Sequence, residues 1–206
     1  MENHKLKLIL ASSSPRRKEL LGHLGIPFDI QVKEIPEESD EVDPVKYSSE
    51  IARIKNKVIS LGSIDDALII SADTIVCLDK KIYTKPLNKE DARRILGELS
   101  GKTHHVYTAV CICLKKNKNV VFHEFVEKTA VTFNDISSEL MEKYLSTGDS
   151  LDKAGAYGIQ GPSLTFISSL EGDYANVVGF PLSRFIQECE LFLKPYTDGA
   201  SWFDLF

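Results

Sequence analysis

The stretch that most constrains this chain is Leu8–Leu21, LILASSSPRRKELL. Leu8, Ile9 and Leu10 form a short apolar run of buried-strand character. Ser14 can cap a following helix, and Pro15 suits its first position, where the missing N–H costs nothing. Arg16 and Arg17 come next. A strand therefore turns at once into a helix, with hydroxyls, free backbone N–H groups and two guanidinium forks at one corner. Such a corner suits an anion such as a phosphate. A plain strand-to-helix corner with solvated arginines fits the same residues, so the stretch specifies structure before it specifies function.

The rest of the chain continues the alternation of strands and helices. Phe28–Val32 reads as a strand, followed by an acidic loop, Glu34–Asp43. Asp43 and Pro44 open a helix whose apolar stripe is Ile51, Ile54, Val58 and Leu61, ended by Gly62. Leu68–Leu78 has central-strand composition. Asn88–Leu99 is a capped helix burying Ala92, Ile95, Leu96 and Leu99. His104–Leu114 and Val120–Phe133, joined by the polar turn KKNKN, predict an antiparallel hairpin. Ser137 caps a helix carrying Leu140, Tyr144 and Leu145, Leu164–Leu170 reads as a strand, and Pro181–Leu193 is the final helix. The pattern argues for an α/β fold with a mixed sheet. Residues 1–195 form one domain and 196–206 an aromatic tail, which either packs on the body or meets a partner.

The chain has 206 residues and is 43% hydrophobic, enough for a real core. A net charge of −5 argues against bulk attraction to nucleic acid, although a local basic pocket is compatible with it. Cys77, Cys111, Cys113 and Cys189 include no C-x-x-C pair and are read as reduced core residues rather than disulfides. The opening MENHKLK has no signal-peptide apolar region, and no run is long enough to span a bilayer. The expectation is a cytoplasmic protein with no membrane partner. The sequence leaves oligomeric state open, a homodimer included.

Several residues stand out chemically. Asp73 and Thr74 interrupt an apolar strand, where an ionised carboxylate is expensive unless paired, hydrated or bound to metal. A catalytic carboxylate is one reading, and a turn cap at a strand end is the other. Lys55 lies on the flank of its helix's apolar stripe, where a lysine either snorkels to water or points into a cleft. Most acids of the 34–43 loop suit a solvated loop, while one or two could face the basic corner and hold a metal ion. Asp152–Gly161, DKAGAYGIQG, is a glycine-rich loop that lets backbone approach a ligand and carries Asp152, Lys153 and Gln160. Neither a G-x-x-x-x-G-K-[ST] loop nor a G-x-G-x-x-G fingerprint occurs.

The ordered set ASSSPRRKELL, SADTIV with TKP, LSGKTHHVYTAV, LDKAGAYGIQG and VVGFPL resembles the Maf family of nucleoside triphosphate pyrophosphatases, from about Leu6 to Lys194. The DKAGAYGIQG form is similar to the branch cleaving dTTP and UTP rather than the one acting on 7-methyl-GTP. The resemblance implies a twisted mixed sheet with two lobes around a central cleft, like inosine-triphosphate pyrophosphatases. It implies hydrolysis of the α–β anhydride with a divalent metal, Mg²⁺ or Mn²⁺. Asp73 matches the general base, and Ser12, Arg16, Lys55 and Lys85 match substrate-binding positions, which turns Lys55 toward the cleft. Arg17 and Lys153 add to the positive field. Glu37, with Glu38 as the alternative, matches an acidic metal-binding position alongside Asp73. Arg16, Thr74 and Gln160 match positions associated with substrate choice. Ser71 and Ile54 depart from the family, standing where glycine and an acid are common. Two further readings stand beside this one: a nucleotide-binding regulator of septum formation without turnover, and an enzyme for modified pyrimidine triphosphates.

Overall fold

A computed structural model of the chain describes residues 5–62, 66–117 and 119–206. The first residues of the opening segment, up to His4, and Lys118 of the KKNKN turn lie outside them. The described strands are β1 (Lys7–Leu10), β2 (Phe28–Ile30), β3 (Ala67–Leu78), β4 (Lys81–Tyr83), β5 (Thr103–Lys116), β6 (Asn119–Phe133) and β7 (Ile167–Glu171). The helices are α1 (Pro15–Gly22), α2 (Pro44–Ser60), α3 (Lys89–Leu99), α4 (Ser138–Ser146), α5 (Tyr174–Val178) and α6 (Leu182–Leu193). One mixed sheet runs in the order β2-β1-β3-β5-β6-β7, with β4 also on β3. β1 pairs in parallel with β2 and β3, and the remaining pairings are antiparallel. The expected mixed α/β sheet is what forms. Among the described residues no helix is long and apolar enough to cross a membrane.

Among the described residues five apolar clusters sit on this sheet, two of them large. One gathers Leu8, Leu10, Leu68, Ile70 and Ile112 with Leu21 of α1 and Phe185, Cys189 and Leu193 of α6. The other gathers Val76, Tyr83 and Val106 with the stripe of α3 and with Met141, Tyr144 and Leu145 of α4. They form two lobes linked by the long strands β3 and β5. The tail resolves its fork: Trp202 is buried in the first core, and Leu6 N–H donates to Leu205 O at 2.7 Å.

The α2 stripe is a correction. Ile51 is buried, but Leu61 is 85% exposed, and the buried face runs through Ser48, Ile51, Ala52, Asn56 and Ile59. The physical reason is that this helix meets the sheet through hydrogen bonds as well as apolar contact. Asn56 Nδ2 donates to Ile69 O and Cys111 O, each at 2.9 Å, and Ser71 Oγ donates to Ala52 O at 2.7 Å. Ser71 thus has its own role in docking α2. Smaller corrections concern ends: β2 stops at Ile30, and β7 begins at Ile167 after a 3-10 turn over Pro162–Thr165.

Candidate active site

The cleft lies where one edge of β3 goes unpaired. β1 pairs with β3 only through Ile70 and then departs into α1, while β4 joins only at Val76. Residues 71–75 of β3 are therefore open on that side. Such a departure at the carboxyl end of parallel strands is a favourable place for a ligand. Asp73 sits in the middle of the gap. The cleft holds about 840 Å³ and is lined by the α1 corner, the acidic loop, α2, β3 and the glycine-rich loop.

Local chemistry builds each wall. At the α1 corner, Ser14 Oγ accepts from Arg17 N–H and Pro15 takes the first helical position. Arg17 folds back: Nε donates to Gly179 O at 2.9 Å, Nη1 to Ser12 Oγ at 3.2 Å and Nη2 to Thr74 Oγ1 at 3.0 Å. Burial lowers the Arg17 pKa, against the opposing pull of Asp73 and Glu37. Ser12 Oγ accepts from Arg17 and also from Ser14 N–H, leaving its own proton to donate.

The shifted face of α2 turns Lys55 inward. Its ammonium lies 2.7 Å from Asp73 Oδ1 and 2.9 Å from Glu37 Oε1. Lys85 Nζ is 3.6 Å from Glu37 Oε2. Burial pushes the Glu37 carboxyl upward, but Lys55, Lys85 and Arg17 together outweigh it and hold the pKa below the usual range. Glu37 rather than Glu38 lines the cleft.

The glycine-rich loop closes the far wall. Gly155 has φ +69°, and a Cβ there would sit 2.6 Å from Val76 Cγ2, so the loop presses directly on β3. A Cβ on Gly158 would meet Lys153 Cδ at 2.6 Å. Tyr157 is buried with its hydroxyl 2.7 Å from His104 Nε2. The Lys153 ammonium is held by Asp149 O at 2.7 Å, Asp149 Oδ1 at 2.9 Å and Asp152 Oδ1 at 2.7 Å. Asp152 in turn accepts from Arg16 Nη1 at 3.1 Å, bridging the two lobes. Burial acts to raise the Asp152 pKa, but Lys153 and Arg16 outweigh it and hold it low. Gln160 is exposed and lines the cleft.

Ser12, Arg16, Arg17, Glu37, Lys55, Asp73, Thr74, Lys85, Lys153 and Gln160 all line this one cleft. Lys153 differs from the rest in being tied to its own loop's acids, so its charge is largely answered before any ligand arrives. Sequence reasoning missed Asp149, which anchors that ammonium and accepts from Tyr144 Oη at 3.2 Å. It also missed Thr108, opposite Thr74 in the β3–β5 register. A hydroxyl inside an apolar strand was the available signal for Thr108.

Residues 7–192 match the family described as Maf-like protein. A dTTP/UTP pyrophosphatase of Deinococcus radiodurans is 41% identical over 181 residues, 88% of this chain and 90% of the relative. One of Symbiobacterium thermophilum is 42% identical over 196 residues, covering 94% of this chain and 98% of the relative. One of Bacillus anthracis is 43% identical over 187 residues, 90% and 95%. Among solved structures, a nucleoside-triphosphatase (dITP/XTP pyrophosphatase) of Mycobacterium abscessus aligns at TM-score 0.38 with 12% identity, over 61% of this chain and 74% of that one. With the family matched over nearly its whole length and relatives of this identity, the chain belongs to the Maf-like proteins.

Proposed function

We propose that this chain hydrolyses dTTP and UTP at the α–β anhydride, releasing the nucleoside monophosphate and pyrophosphate. The observation that carries the reading is Asp73, buried in the open edge of β3 and facing a cleft whose other walls supply Lys55, Lys85, Arg16 and Arg17. The names of the relatives support the substrate. A triphosphate repels an attacking oxygen, so the site must neutralise charge and position water.

Asp73 takes the proton of the attacking water as general base. Lys55 holds that carboxylate in place and supplies positive charge beside it. The α1 corner binds phosphate oxygens through Ser12, Arg16, Arg17 and backbone N–H groups. Gln160 offers a donor and an acceptor that complement a uracil or thymine edge. One methyl separates those bases, worth about 1 kcal/mol in an apolar pocket, so both are accepted.

The residues fit a divalent cation. Among the described residues no group of three or more His, Cys, Asp and Glu side chains converges. Mg²⁺, however, is commonly held by one or two carboxylates together with substrate phosphates. Glu37 and Asp73, both on the Lys55 ammonium, would hold Mg²⁺ or Mn²⁺. The bound ion supplies charge neutralisation at the phosphates. On this reading the enzyme works on the nucleotide pool of the cytoplasm.

The test is a nucleotide panel with Mg²⁺ or Mn²⁺, resolving products by ion-exchange chromatography. Monophosphate and pyrophosphate from dTTP and UTP, and none after chelation, are expected. Absence of release from both nucleotides overturns the proposal.

A further inference from the structure

A hydrogen-bond chain runs from Arg17 through the cleft floor into the sheet. Arg17 Nη2 donates to Thr74 Oγ1 at 3.0 Å, Thr74 Oγ1 and Thr108 Oγ1 are 3.0 Å apart, and Thr108 Oγ1 donates to the Asn176 carbonyl at 3.0 Å. Thr108 and Asn176 are fully buried, and neither lines the cleft.

The direction of every bond follows from counting protons. A guanidinium only donates and a carbonyl only accepts. Thr108 has one hydroxyl proton, and it goes to Asn176 O. Toward Thr74, Thr108 can therefore only accept. The single Thr74 proton goes to Thr108, so toward Arg17 the Thr74 oxygen is an acceptor. Asn176 is an immobile end for this chain. Its Nδ2 donates to Val106 O at 3.2 Å and Thr129 Oγ1 at 2.9 Å, and Asp173 Oδ1 caps its helix.

We propose that Thr108, backed by the Asn176 carbonyl, is a positioning residue that locks Thr74 as an acceptor and thereby aims Arg17 at the nucleotide's phosphates. This rests on the pyrophosphatase reading of the cleft. Arg17 has five N–H groups, and its bonds to Gly179, Ser12 and Thr74 leave two of them for a ligand. The three fixed acceptors set the plane of the guanidinium and with it the directions of those two. The Thr74 hydroxyl is committed to the protein and contributes to substrate choice through Arg17, not by donating to the nucleotide.

Thr108→Val removes the hydroxyl at nearly constant shape, and Thr108→Ser restores it. The expected result is a loss in kcat/KM for dTTP of about 10-fold or more in the valine variant, carried mainly by KM, with the serine variant rescuing it to within about 3-fold. In an Arg17→Lys background the valine substitution should cost less than about 2-fold, because the chain no longer has its guanidinium end. Melting temperatures of all variants, with assays run well below them, separate this from loss of fold. Parent-like kcat/KM in Thr108→Val, or an equal loss in both backgrounds, overturns the proposal. If the parent releases no pyrophosphate from any nucleotide, the functional reading fails, and the chain is judged by calorimetric binding of dTTP. There the same 10-fold weakening, present only with Arg17, supports it, and its absence, or absence of binding by the parent, overturns it.

Discussion

Replacing Lys55 by methionine should cost stability and turnover together, in amounts set by its two contacts. The Lys55 side chain is 13% exposed, the Asp73 side chain 10% and the Glu37 side chain 44%. The Glu37 contact is half in water and so contributes about 0.2–1 kcal/mol. The Asp73 contact is different, because its loss leaves a nearly buried carboxylate uncompensated. Breaking a fully buried pair costs about 3–5 kcal/mol, and nearby Arg17 and water in the cleft reduce that to about 2–3 kcal/mol. Methionine keeps the packing of the alkyl stem. The sum, about 3 kcal/mol, corresponds to a fall in Tm of about 6–12 °C for a chain of this size. The pH dependence has a definite sign. Glu37 is depressed in the folded protein because Lys55, Lys85 and Arg17 outweigh its burial. A depressed carboxyl stabilises above its unfolded pKa and loses that contribution as pH falls through the folded value. The Tm gap between parent and variant should therefore be widest above pH 4.5, the ordinary glutamate value, and narrow in more acid buffer. Thermal melts by circular dichroism at neutral and acid pH read both quantities. Turnover of dTTP should fall by about 10²–10³-fold, as for loss of one charge-stabilising donor. A Tm within 2 °C of the parent at neutral pH (about 2 °C being the smallest shift expected per kcal/mol), or a gap that widens in acid, refutes the reasoning.

Asp73→Asn should reduce turnover by about 10²–10⁴-fold while the far-ultraviolet spectrum stays parental, and full activity would remove Asp73 from the base role. Gly155→Ala introduces a Cβ 2.6 Å from Val76 Cγ2 at φ +69°, and differential scanning fluorimetry should show a loss of about 2–4 kcal/mol of stability; an unchanged melt contradicts the packing described. The four cysteines are buried, and burial pushes the Cys113 thiol up to about 11 and the Cys189 thiol higher than usual. A thiol reagent at pH near 8 should label the native protein slowly and all four cysteines after denaturation. Burial lowers His104 to about 4, so it is folded in neutral form and must charge in the unfolded chain below 6.5. Stability should accordingly fall by about 3 kcal/mol between those two pH values on its account. His104→Gln should flatten that part of the profile, and an unflattened profile would assign the slope elsewhere.

Much of this chain was legible locally because the signals are local. Ser14 and Pro15 start α1 through capping and a preset φ, and both act within one turn. Asn88 and the stripe Ala92, Ile95, Leu96 and Leu99 specify α3, and all four side chains are buried. The apolar run with an aspartate in it marked β3 as unusual before any contact was known. The α2 face was misphased because periodicity counts apolar residues, whereas this helix buries Ser48, Ala52 and Asn56, with Asn56 Nδ2 donating to the Ile69 and Cys111 carbonyls and the Ala52 carbonyl accepting from Ser71 Oγ. Capping, patterning and turn chemistry therefore came from the residues themselves. Only the fold decided that β1 and β4 leave residues 71–75 of β3 open, that Arg16 meets Asp152 across 136 positions of chain, and that Arg17 meets Gly179 across 162. Those contacts arise when topology brings distant segments together, and no short-range preference of the chain encodes them.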